Sequence, residues 1–153
     1  MIIVGVVNNM QDSALRTTER QFRELIKAAA GGRAVRVKFF SIPELPRGRR
    51  GRAYVDTHYS DVSAIAGAGL DGLIVTGAEP IAPALPQEPF WRDLAGVVDW
   101  ARTNTRSTIW SCLAAHAAVL HLDGIERRRL DTKCSGIYRC AQRGEDWLTR
   151  GLP

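Results

Sequence analysis

A chain of 153 residues, 45% of them hydrophobic and 24% charged, has the length of one domain and the composition of an ordinary globular protein. Its net charge of +5 rests on 18 arginines and three lysines, clustered at Arg47, Arg49, Arg50 and Arg52 and again at Arg127, Arg128 and Arg129. The clusters lack interleaved aromatics and any nucleic-acid-binding motif, so solvated basic loops, or attraction for a phosphorylated cosubstrate, are preferred to nucleic acid.

No apolar run approaches the roughly 20 residues that cross a bilayer, so no membrane partner is expected. The start, Met1-Ile2-Ile3-Val4-Gly5-Val6-Val7, lacks a basic leader region and reads as a buried strand, which makes the cytoplasm the default location. Cys112, Cys134 and Cys140 are odd in number and lack metal-ligand spacing. Neither a zinc site nor a disulfide framework is expected from them, and Cys134 and Cys140 read as structural or incidental.

In chain order, residues 2–7 form a continuous apolar β-branched run, as in a parallel strand covered on both faces. Asn8 to Ser13 is a loop, and Asp12 or Ser13 can cap the next helix. Phe22, Leu25, Ile26 and Ala29 recur at helical spacing until Gly31-Gly32 stops the helix. Residues 35–40 alternate and predict a second strand. Pro43 to Thr57, with two prolines, two glycines and four arginines, reads as the least ordered region. A short helix over about 58–67 precedes the buried strand at 72–75. Phe90, Leu94, Val97, Val98 and Ala101 mark an amphipathic helix, 107–111 a fourth strand and 113–121 a final helix.

This alternation predicts one α/β domain over residues 1–153, a doubly wound parallel sheet of flavodoxin-like type. Ligands of such sheets gather at the carboxyl ends of the strands, where Asn8 to Met10, Thr76 to Ile81 and Cys112 converge. Asn8 either bonds within its loop or lines the pocket. Glu79 is either a polar contact to a ligand or a cap for the following turn.

The richest segment is Thr108-Ile109-Trp110-Ser111-Cys112-Leu113-Ala114-Ala115-His116. A strand ends on a cysteine and a helix begins at once, the strand–nucleophile–helix elbow that lifts a side chain above a sheet. The helix dipole and free amide hydrogens there favour negative charge, on sulfur or on the oxygen of a bound acyl group. The bland alternative is a buried cysteine at a strand end. His116 lies one turn on, near enough in sequence to act on the thiol, although an i+4 side chain generally points away from an elbow. His58 and His121 read as surface residues.

Together these blocks resemble a known family. Val4-Gly5-Val6-Val7-Asn8-Asn9-Met10, Thr18-Glu19-Arg20-Gln21-Phe22, Asp71-Gly72-Leu73-Ile74-Val75-Thr76-Gly77-Ala78, Trp91, the cysteine elbow, His121-Leu122-Asp123-Gly124-Ile125 and Lys133-Cys134-Ser135-Gly136-Ile137-Tyr138 are similar to the MetA-type homoserine O-succinyltransferases. The resemblance implies a class I glutamine-amidotransferase-like fold. It also implies an acyltransferase of methionine biosynthesis that moves an acyl group from acyl-CoA to the hydroxyl of L-homoserine, with no cofactor beyond that cosubstrate.

By position, Cys112 is the family's acyl-thioester nucleophile, Lys133 its substrate-binding lysine and Ile81 its acyl-donor-tuning position. Isoleucine is neither the glutamate of acetyl-type members nor the glycine of succinyl-type ones. Ala114 stands for the glycine two residues past the nucleophile, and His116 for a later glutamine-like position. The family's general base, a histidine with a nearby glutamate, falls beyond Pro153, so the resemblance covers the N-terminal part only and the chain is expected to be C-terminally truncated. Exposed apolar surface on an incomplete sheet favours a homo-oligomer or a partner. Two other classes stay open: a catalytically silent amidotransferase-like binding domain, and more weakly a glutamine-hydrolysing amidotransferase.

Overall fold

The computed structural model describes residues 1–128, 130–132, 134–139, 141 and 144. β1 (Ile2–Val7) feeds α1 (Asp12–Ala29), followed by β2 (Val35–Ser41), α2 (Arg49–His58), β3 (Ser60–Asp61) and a 3₁₀ turn at Val62–Gly67. β4 (Gly72–Val75), a second 3₁₀ turn at Leu85–Gln87, α3 (Trp91–Asn104), β5 (Ser107–Trp110) and α4 (Leu113–Asp123) complete the order.

All five strands are parallel, in the order β3-β2-β1-β4-β5. Without the two-residue edge strand β3, the remaining order is that of the flavodoxin-like sheet. Because β2 lies on one side of β1 and β4 on the other, the order in which strands are added reverses between β1 and β4. That reversal opens a crevice above their carboxyl ends.

Strand residues alternate between the two faces with period two, and each face has its own core. On one, Val7, Phe40, Leu73 and Val75 meet Leu94, Val97 and Ala101 of α3 and Leu113, Ala114 and Ala117 of α4. On the other, Val6, Phe39 and Ile74 meet Phe22 and Ile26 of α1. Each fully buried Val, Leu or Phe contributes about 1.5–3 kcal/mol, so these two layers carry the fold. Five predicted helical positions, Phe90, Leu94, Val97, Val98 and Ala101, are all buried. Among the described residues no helix is long and apolar enough to cross a membrane.

Four local expectations are corrected. Leu25 faces solvent, because α1 turns Phe22 and Ile26, not Leu25, onto the sheet. The span 58–67 is a short strand and a 3₁₀ turn, opened by Asp61, whose carboxylate accepts the Ser63 amide at 2.7 Å.

The third correction concerns Pro43 to Thr57, which contains α2 and is not loose. Asp12 does not cap its own helix, and the N-cap residue of α1 is Gln11. The Asp12 carboxylate instead accepts the backbone N–H of Gly48, the N-cap of α2, at 2.8 Å. A long-range contact thus supplies the acidic charge that the arginine-rich first turn of α2 lacks. Gly51 is a glycine for the same reason, since a β-carbon there would overlap the Asp12 carboxylate.

Candidate active site

Three strand ends meet above the crevice, and their ladders run one residue past the strands. Asn8 N donates to Phe40 O at 2.9 Å, Thr76 N to Val7 O at 3.0 Å, and Ser111 N to Val75 O at 2.9 Å. The loops after β1, β4 and β5 are thereby held in register. Asn9 ties the first two together, its backbone N–H donating to Thr76 Oγ1 at 2.8 Å and its side-chain Nδ2 to Thr76 O at 3.0 Å.

Cys112 stands at the turn from β5 into α4, exposed, with φ 58° and ψ −125°. Among the described residues it alone, apart from glycines, has a positive φ. Holding a side chain there costs on the order of 1–3 kcal/mol, which the surrounding packing must impose. Ala114 N donates to Ser111 O and Ala115 N to Cys112 O, closing the first turn tightly. The N–H of Leu113 has no acceptor among the described residues, so it is free at the sulfur-bearing end of the helix.

Gly77 completes the turn from the β4 side. A β-carbon at this buried position would lie 2.6 Å from Leu113 N and 3.0 Å from Cys112 Cβ. Only a glycine lets the β4 loop pass so close to the elbow.

Next to this loop lies a cavity of about 250 Å³ lined by Asn9, Gln11, Leu45, Pro46, Ala78, Glu79, Pro80 and Ile81. Glu79 and Ile81 are exposed, Ile81 at 66%. Asn8 is wholly buried and engaged internally: its Nδ2 donates to Leu15 O and to Tyr59 Oη, both at 3.0 Å. Its Oδ1 accepts the Met10 amide at 3.3 Å. Lys133 and Cys140 lie outside the described residues, whereas Cys134 is exposed with its sulfur 2.9 Å from Tyr138 Oη.

The three histidines are placed apart. His58 stacks on Tyr54 and its Nδ1 meets Tyr54 O at 2.8 Å. His121, half-buried against Trp91, has Nε2 2.8 Å from Asp99 Oδ1 and joins α4 to α3. His116 is exposed. Among the described residues no group of three or more His, Cys, Asp or Glu side chains is arranged to hold a metal.

Two supports of the site were not visible in the sequence. Arg47, expected in a solvated basic loop, has a side chain only 1% exposed. Its Nη1 donates to Met10 O at 3.0 Å and its Nη2 to Asn8 O at 3.1 Å, clamping the loop after β1, with Asp12 Oδ1 at 3.4 Å. Arg52 Nη2 likewise donates to Leu45 O at 3.0 Å, while Arg49 and Arg50 are exposed. Beneath the clamp, Tyr59 and Tyr54 donate to Glu19 Oε2 at 3.0 and 2.8 Å, and Arg23 Nε donates to Oε1 at 2.9 Å. Burial pushes the Glu19 carboxyl up, but the hydrogen bonds from Tyr54, Arg23 and Tyr59 outweigh it and hold the group below its ordinary value.

The second hidden support is Glu88. It is 4% exposed, and its Oε1 accepts the backbone N–H groups of Ile81 and Ala82, each at 2.8 Å. Nothing in Pro86-Gln87-Glu88-Pro89 announces a buried carboxylate. Gly77 did leave a signal, as a glycine two residues past a buried strand.

A family model described as homoserine O-succinyltransferase matches residues 1–153. A homoserine O-succinyltransferase of Bradyrhizobium japonicum is 52% identical over 152 residues, which are 99% of this chain and 47% of the relative. Those of Rhodopseudomonas palustris and Methylorubrum extorquens are 53% and 56% identical, over 100% and 98% of this chain and 46% and 44% of their own lengths. The chain thus spans a little under half the length of these curated relatives.

Proposed function

The chain belongs to the homoserine O-succinyltransferase family, and from that premise we propose that it carries the acyl-accepting half of a homoserine O-acyltransferase, with Cys112 as nucleophile. The observation that carries the reading is the backbone of Cys112: an exposed thiol on a strained turn, at the open N-terminus of α4, beside the free Leu113 amide.

In this reaction the Cys112 sulfur, as thiolate, attacks the thioester carbonyl of an acyl-CoA. The developing oxyanion is stabilised by the Leu113 N–H and the positive end of α4. The carbon–sulfur bond to coenzyme A breaks, coenzyme A leaves as its thiol after taking up a proton, and the acyl group remains on Cys112 as a new thioester. The hydroxyl of L-homoserine, losing its proton to a base, then attacks that thioester, releasing O-acyl-homoserine and the Cys112 thiolate. We assign the acyl chain to the cavity walled by Ile81, Ala78 and Glu79, and Lys133 to substrate binding by the family resemblance. Among the described residues no histidine hydrogen-bonds Cys112, so the base for the second half-reaction is assigned to none of them. We place this chemistry in the cytoplasm, as a step of methionine biosynthesis.

The test is incubation of the folded protein with succinyl-CoA and, separately, acetyl-CoA, followed by peptide mass spectrometry. An acyl adduct confined to Cys112 and absent from C112A is expected. A folded protein that takes an adduct from neither donor overturns the enzyme reading in favour of a silent binding domain.

A further inference from the structure

Glu88 buries a carboxylate, and no lysine or arginine among the described residues pairs with it. One of its oxygens, Oε1, takes both amides of the Ile81–Ala82 step, and the other, Oε2, is buried without a partner. Leaving such an oxygen unsatisfied costs stability, so the arrangement calls for a compensating role.

The anchoring side of the contact is rigid. Glu88 N donates to Leu85 O at 3.1 Å, and Glu88 O accepts the Trp91 amide at 3.0 Å, which joins the residue to the start of α3. Pro86 and Pro89 flank it, and Phe90 beside it is buried in the core. The held side is a loop with Glu79 and Ile81 exposed, and its residues Ala78, Glu79, Pro80 and Ile81 form one wall of the cavity.

We propose that Glu88 is a positioning residue for acyl-donor selection: it fixes the backbone of Ile81 and Ala82 against α3, and so sets where the Ile81 side chain stands in the wall of the acyl cavity. Glu88 touches no reacting atom. Its carboxylate replaces the regular structure that the loop lacks, because two charge-assisted hydrogen bonds to consecutive amides hold a loop nearly as a strand pairing would. This inference rests on the acyltransferase reading of the same site.

The experiment compares the unmodified protein with E88A, and with E88Q, which keeps an oxygen acceptor and serves if E88A fails to fold. Amide exchange at Ile81 and Ala82 is expected to accelerate about tenfold or more in E88A, while the Thr76 amide, bonded to Val7 O, stays unchanged. The ratio of Cys112 thioester formation from acetyl-CoA and succinyl-CoA is expected to shift about tenfold. Alkylation of Cys112 by iodoacetamide, which is too small to need the wall, is expected to stay within about twofold.

Unchanged exchange at Ile81 and Ala82 overturns the brace. Accelerated exchange with an unchanged donor ratio reduces Glu88 to a structural residue and overturns the inference alone. Failure of the unmodified protein to take either acyl group overturns the acyltransferase reading, and this role with it.

Discussion

Gly77 and Cys112 follow the ends of the paired strands β4 and β5, so close that a β-carbon on Gly77 would lie 3.0 Å from Cys112 Cβ and 2.6 Å from Leu113 N. The second neighbour is backbone at the start of a helix and cannot swing aside. G77A must therefore push the β4 loop or the elbow away. We expect a loss of about 1–3 kcal/mol in denaturant unfolding, typical of overpacking. Cys112 alkylation should also slow, and unchanged stability and reactivity together would contradict the close approach.

The backbone of Cys112 supplies a second, opposite expectation. At ordinary positions a glycine is less stable than an alanine by about 0.5–1 kcal/mol. At φ 58° and ψ −125° the penalty falls on the side chain instead, so C112G should be more stable than C112A by about 1 kcal/mol. Both variants lack the sulfur, and the comparison isolates the backbone. Thermal melts of the pair decide it, and a less stable C112G would mean that the elbow is not strained.

Arg47 is the clamp whose removal should be felt at a distance. R47A strips the carbonyls of Asn8 and Met10 of their donor and leaves Asp12 without its guanidinium. A loss of about 2–3 kcal/mol is expected, the range for buried hydrogen bonds to a charged group. R47K keeps the charge but not the fork, and should recover only part of it. A cost under about 0.5 kcal/mol, as at a surface position, would return Arg47 to the solvated loop.

Acid stability should report on Glu19. Its carboxyl is held below the ordinary value, so the unfolded chain takes up a proton before the folded one does. The stabilisation is therefore fully present above the ordinary glutamate value of about 4.3 and is lost as the pH falls through the lower, folded value. Since the group is partly solvated, about 1 kcal/mol is a realistic size. Urea midpoints for the unmodified protein and E19Q should differ near neutrality and converge in acid. A gap that persists undiminished to pH 3 would rule the carboxylate out as its source.

Tyr59 links that carboxylate to Asn8. Burial raises the Tyr59 hydroxyl above its ordinary value, with Glu19 adding to the shift and Asn8 opposing it. Y59F leaves Asn8 Nδ2 with only Leu15 O and removes one donor from Glu19. We expect about 1–2 kcal/mol of lost stability, measured by denaturant unfolding, and a Glu19 titration displaced upward toward the ordinary value.

Four of the five strands, their order of appearance and the elbow were legible in the residues because their signals are local. Apolar runs of four to six residues, glycine pairs and the abrupt change from β-type to helical residues at Cys112 do not depend on what lies across the molecule. The helix at Arg49–His58 was illegible for the opposite reason. Arginines in its first turn oppose the helix dipole, and the Asp12 carboxylate that offsets them comes from more than 30 residues away. Glu88 and Arg47 were hidden likewise: a carboxylate between prolines and an arginine in a basic run both read as solvated.

By itself, then, the sequence determined a parallel α/β sheet, a cysteine at a strand–helix junction and membership of an acyltransferase family, since each follows from short-range pattern and from residue identity. Only the tertiary structure decided that Cys112 carries the strained backbone, that Gly77 passes close against Leu113 N, and that buried Arg47 and Glu88 hold the loops around the cavity. Those are matters of which backbones pass close together and which charges leave water, and long-range packing alone sets them.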